Sequence, residues 1–223
     1  MAINLVKGQT IDLRKNDKGE SFDLSSVTIG LGWDVKQNSG GGGFLGKLFG
    51  GGQEEEYDLD AIAFLLNSQG KVANMGSSVQ KEGRNINMYG GDVIYFNSMQ
   101  HPSGNIWLTG DNRTGAGDGD DEQIIVKLDS LSADYDRIIF VVAIYQGKHN
   151  HQHFGMVDNA FIRAVDRSGK EIAKFSLSGD STYNNMCSMT FAEVYRKDGS
   201  WKFRAIGDPH PTDNFVEILQ NYR

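Results

Sequence analysis

Ser188–Ile206 reads SMTFAEVYRKDGSWKFRAI, two β-rich arms on either side of Lys197-Asp198-Gly199-Ser200. Glycine beside aspartate between two such arms is the chemistry of a hairpin connection. In the second arm Trp201, Phe203 and Ala205 alternate with Lys202 and Arg204. That period of two marks an antiparallel strand with one face buried and the other in water. An apolar sheet face must be covered by a second layer, so the hairpin predicts a β-sandwich.

Working outward, segments of the same kind recur at Val27–Trp33, Tyr57–Leu66, Val93–Phe96, Ile106–Thr109, Gln123–Leu128, Arg137–Tyr145, Ala160–Val165 and Glu171–Leu177. Asn67-Ser68-Gln69-Gly70 and Asp166-Arg167-Ser168-Gly169 each separate two of them, as hairpin turns do. Helical patterns are few: a short one after Asp129 in DSLSADY, and one from Thr212 to about Tyr222, where Phe215, Ile218, Leu219 and Tyr222 share a face. The expectation is a mostly β chain, a single domain over residues 1–223, built as a sandwich of two antiparallel sheets with a C-terminal helix. Asn38–Glu56, NSGGGGFLGKLFGGGQEEE, is foreign to that pattern and reads as a flexible glycine-rich insertion. Its Gly41–Lys47 stretch has the GxxxxGK spacing of a phosphate loop, but Leu48 stands where that motif needs Ser or Thr.

The 223 residues carry a net charge of −7, which argues against nucleic acid or an anionic membrane as a partner, since both require a basic face. Cys187 is the single cysteine, so no intrachain disulfide forms and a reducing compartment fits. MAINLVKGQTIDLR lacks the apolar core of a signal peptide, and the apolar run Ile138–Tyr145 is too short to span a bilayer.

The chemistry concentrates in Gly110–Glu122, GDNRTGAGDGDDE, where Asp111, Asp118, Asp120, Asp121 and Glu122 face one arginine, Arg113. Carboxylates about 5 Å apart repel by about 1 kcal/mol per pair in water and about 3 kcal/mol at an effective dielectric near 20. Oxygen-only donors, with Asn112 and Thr114 adding neutral oxygens, suit Ca²⁺. The spacing is not that of an EF-hand: with Asp111 at position 1, Arg113 and Gly115 occupy ligand positions and Ala116 stands where glycine is needed. Donors from elsewhere are therefore expected. Asp58 and Asp60, two apart on a strand, and Asp34 after Trp33 are the candidates. His149, His151 and His153 would share a face on a strand and suit zinc or nickel; the competing reading is a polar loop. No G-x-S-x-G elbow is present, and Cys187 reads as a small core residue.

GLGWD (Gly30–Asp34), DLDA (Asp58–Ala61), GDNRTGAGDGDDE, NAFIRAVD (Asn159–Asp166) and WKFRAIG (Trp201–Gly207), in that order, resemble the TerD family of bacterial tellurite-resistance and stress proteins. The resemblance implies a β-sandwich binding one or two Ca²⁺ ions through acidic loops, a cytoplasmic location, and a role in defence against tellurite, phage and chemical damage. It further implies work alongside other Ter-type proteins, including a membrane-embedded one. Asp111, Asn112, Thr114, Asp118, Asp120, Asp121 and Glu122 match the family's signature, as do Asp58 and Asp60. The resulting expectation is a non-enzymatic, Ca²⁺-dependent interaction module. The alternative is a module for a cyclic nucleotide or sugar, its site shaped by calcium.

Overall fold

The computed structural model describes residues 3–15, 19, 21–35, 57–109, 119–177 and 181–223. The glycine-rich insertion expected at 38–56 lies outside them. Two six-stranded sheets face one another. The first, sheet A, runs in the order β1 (Ile3–Leu5), β12 (Glu171–Ser176), β11 (Val157–Val165), β3 (Val27–Val35), β9 (Glu122–Val126), β8 (Ile106–Leu108). The second, sheet B, runs β2 (Thr10–Asp12), β14 (Ser200–His210), β13 (Ser188–Lys197), β10 (Arg137–Ile144), β4 (Leu59–Leu66), β7 (Val93–Ile94). All pairings are antiparallel except β1 on β12, which is parallel. The hairpin read from the sequence is β13–β14, with Asp198 at φ +53° and Gly199 at φ +67° forming the turn. Trp201, Phe203 and Ala205 are buried while Lys202 and Arg204 are half-exposed.

Alternation along the strands assigns each side chain to a layer. On β3, Val27, Ile29, Leu31 and Trp33 enter the core between the sheets. On β4, Leu59, Ala61, Ala63 and Leu65 enter that core, whereas Ile62, Phe64 and Leu66 belong to a second apolar cluster on the other face. That explains why β4 and β10 read as nearly continuous apolar runs: sheet B is covered on both sides. Its outer cover is the C-terminal helix α1 (Phe215–Leu219), whose Ile218 and Leu219 pack on Phe64, Val141 and their neighbours. Asn214 caps that helix through its side chain, which accepts from the Val216 amide at 3.1 Å. The helix is shorter than the pattern from Thr212 to Tyr222 suggests, because Gln220–Tyr222 winds into a 3₁₀ turn.

Three features depart from expectation. β1 and β2 are each three residues long, below the length at which alternation is visible. The ribbon β5 (Ser77–Lys81) and β6 (Arg84–Tyr89) is polar on most of its surface and has no apolar period to betray it. The turn at Asn67–Gly70 forms, its backbone closed by Gly70 N to Asn67 O at 2.9 Å, but it is not a hairpin connection. β4 pairs instead with β10 and β7, both distant in sequence. No helix among the described residues is long and apolar enough to cross a membrane.

A candidate cation site on the outer face of sheet A

The outer face of β3 carries Thr28, Gly30, Gly32 and Asp34, the residues between its core positions. Gly30 and Gly32 make this a lane with no side chains. A Cβ on Gly30 would stand 2.1 Å from Asp120 Oδ2, and one on Gly32 would stand 2.5 Å from the Phe161 ring. Close approach is what the missing side chains permit. Into the lane comes Gly119–Glu122, the end of the acidic segment where it joins β9. The other end of the β8–β9 connection is fixed by Thr109, whose amide donates to Gln123 O at 2.9 Å.

Each acid at this end has a different task. Asp120 is buried, its side chain 2% exposed, and it accepts from Arg163 Nε at 2.7 Å and Gln123 Nε2 at 3.2 Å. Asp121 clips to β3 twice: its amide donates to Leu31 O at 2.7 Å and its carboxylate accepts from Trp33 N at 2.9 Å. Burial pushes the Asp121 carboxyl up, the Trp33 amide pulls against this, and the charges of Asp34 and Asp120 push the same way as burial. Glu122, 1% exposed, points inward beside Ile124 and Val126, and its carboxylate accepts from the amide of Ala61 on β4. It thereby joins the two sheets.

Asp34 is exposed on the same face and accepts from Asn159 Nδ2 at 2.7 Å. Asp158 lies opposite it in the β3–β11 register. Asp60 sits opposite Ala143 on the face that carries the second apolar cluster, and Asp58 shares its parity. Glu122 therefore meets β4 at the Ala61 amide, one residue past the 58–60 segment. Asp111, Asn112, Thr114 and Asp118 lie outside the described residues. Among the described residues no three His, Cys, Asp or Glu side chains are grouped to hold a metal ion. The donor chemistry at Asp34 and Asp121 is oxygen only and suits a hard cation, but these two do not complete a coordination shell.

The three histidines do not form a strand face. They lie in the turns after β10, His151 with φ +57°, followed by a 3₁₀ turn at Phe154–Met156. Cys187 is buried, its thiol directed at Gln152 O at 3.4 Å, as a core residue should be. Residues that the sequence did not single out are Arg163, Gln123 and Asp158. Arg163 stands two residues after Phe161 on β11, and that parity was the available signal for its place on the outer face.

The chain matches the family model described as TerD domain over residues 1–222. It is 56% identical to tellurium resistance protein TerX of Serratia marcescens over 222 residues, covering 100% of both chains. Stress response protein SCP2 of Bacillus subtilis (strain 168) is 40% identical, again over 100% of both. Tellurium resistance protein TerD of Alcaligenes is 38% identical over 93% of this chain and 90% of its own. Among solved structures, a homologue of telluride resistance protein (TerD) from Streptomyces coelicolor A3(2) superposes with a TM-score of 0.59 at 22% identity, covering 90% of this chain and 98% of that one. That likeness shows the fold. Full-length agreement in sequence shows the rest: the chain belongs to the TerD family of tellurium-resistance and stress-response proteins.

Proposed function

We propose that this chain acts in stress and tellurium resistance as a Ca²⁺-binding interaction module rather than as a catalyst. The observation that carries the reading is Asp121, held half-buried against β3 with the charges of Asp34 and Asp120 beside it. Carboxylates crowded in this way are relieved by a cation, and oxygen donors select a hard one. Among the described residues Asp34 and Asp121 are the proposed donors; Asp111, Asn112, Thr114 and Asp118 are candidates by motif alone. Asp120 and Glu122 serve as anchors that tie the acidic segment to Arg163 and to Ala61. The ion would order this end of sheet A as a surface for other Ter-type proteins at the cytoplasmic side of a membrane-embedded partner.

Calorimetric titration with Ca²⁺ and Mg²⁺ tests the reading, together with melting curves. Ligand at about 100 times its dissociation constant adds about 2.7 kcal/mol. For a chain of 223 residues that raises the melting temperature by roughly 5–11 °C. A melting curve unmoved by millimolar Ca²⁺, with no heat of binding, refutes it.

A further inference from the structure

A guanidinium stands inside the acidic set. Arg163 donates through Nε to Asp120 at 2.7 Å and through Nη1 to Glu171 at 3.1 Å, so one side chain spans two carboxylates from different segments. Its position is built. The guanidinium lies 5.8 Å from the centre of the Phe161 ring, and that ring stands over Gly32. Lys174 Nζ is 3.8 Å from the same ring. Asp120 rests on the bare Cα of Gly30 and takes its second bond from Gln123. Arginine stays charged at any pH a protein survives, and a planar fork can bridge two acids where an ammonium serves as a point charge.

We propose that Arg163 is a tethered cation: at Asp120 and Glu171 it holds the place a metal ion would otherwise take. Two consequences follow for the calcium reading, on which this inference rests. Asp120 is a latch, not a ligand, and fastens the end of the acidic segment to sheet A whether or not metal is present. Added metal is confined to the side of Asp34 and Asp121, because the guanidinium already occupies the place between Asp120 and Glu171 and cancels one of their two charges.

The test uses the full chain with CaCl₂ as the probe, reading ion stoichiometry by native mass spectrometry and calorimetry, and melting in EDTA. Arg163→Gln is expected to melt lower than the parent in EDTA and to bind one more Ca²⁺ per chain than the parent does. That added ion should recover most of the lost melting temperature. Arg163→Lys, which keeps the charge but not the fork, is expected to bind the parental number of ions. Asp120→Asn gives an independent check if Arg163→Gln does not fold: its stoichiometry should equal the parent's, with affinity within about threefold. Parental stoichiometry in Arg163→Gln, or loss of an ion in Asp120→Asn, overturns the inference. Should the parent bind no Ca²⁺, the proposed function fails by itself. The EDTA melt and an ion gained by Arg163→Gln would then still decide whether Arg163 fills a cation's place.

Discussion

Gly30→Ala isolates the latch with a single methyl group. Gly30 lacks a positive φ, so its backbone accepts alanine, and in a strand this change ordinarily stabilises by about 0.5–1 kcal/mol. Here the new Cβ would stand 2.1–2.4 Å from all three atoms of the Asp120 carboxyl group. The carboxylate has to leave, and its bond to Arg163 goes with it. Breaking a fully buried pair costs about 3–5 kcal/mol, and an exposed pair is worth about 0–1 kcal/mol. With Asp120 at 2% and Arg163 at 30% side-chain exposure, the loss lies between these, about 2–3 kcal/mol. After the backbone gain, the net effect is about 1–2.5 kcal/mol of destabilisation, a fall of roughly 2–10 °C in melting temperature. In an Asp120→Ala background the obstacle is gone, and the same Gly30→Ala change should be neutral or stabilising. The assay is a double-mutant cycle of thermal or urea melts in EDTA, and the expected coupling is about 2–3 kcal/mol. Additive effects of the two substitutions, or a stabilised Gly30→Ala single mutant, would refute the reasoning.

Phe140 on β10, 1% exposed, lies opposite Ala63 and Ala192, so Phe140→Ala leaves a void that its neighbours are too small to fill. The expected cost is about 3–5 kcal/mol, or roughly 6–20 °C by calorimetry, and a shift under 3 °C would show that the core collapses around it. Gly199→Ala puts a Cβ at φ +67°, where there is space but the backbone is unfavourable; a loss of about 1–2 kcal/mol in urea melts is expected. Asp12 is raised by burial but lowered further by Lys202 Nζ at 2.6 Å and by the Arg14 amide and Ser200 hydroxyl, which leaves it at about 2. A depressed carboxyl stabilises the fold above its unfolded value, and that contribution fades as pH falls from about 4 to about 2. Asp12→Asn should therefore flatten the acid limb of stability against pH between those values while leaving the shape near neutrality unchanged.

The sandwich was legible because its strands have a period. Trp201, Phe203 and Ala205 announce a face, and β3 alternates in the same manner from Val27 to Trp33. Strands without a period were invisible: β1 and β2 are too short, and the β5–β6 ribbon buries little besides Ile86. The acidic segment was equally plain as a concentration of charge, but charge does not specify direction. Asp120, Asp121 and Glu122 are consecutive, and the strand geometry sends them to an ion pair, a strand amide and the opposite sheet respectively. Sequence also offered Asp58 and Asp60 as partners; their parity sets them on the face of Ile62, where the second apolar cluster lies. Arg163 escaped notice because nothing in the string links a residue on β11 to one that precedes β9. Only the register of β3 between those two strands brings them together.

The Glu122 contact also bears on an edge of sheet B. β7 pairs with β4 only at Ala63 and Phe64, which leaves the Ala61 amide beyond the end of that short ladder. An amide at such a margin is a template on which another chain can add a strand. Here it is stoppered by a carboxylate delivered from the other sheet. The stopper belongs to the same run of residues as Asp121, so loosening that run would free this one strand amide on sheet B. Self-association on heating, or on substitution of Glu122, is thus expected to begin at β4, so a residue picked out for its charge also serves to cap a strand amide.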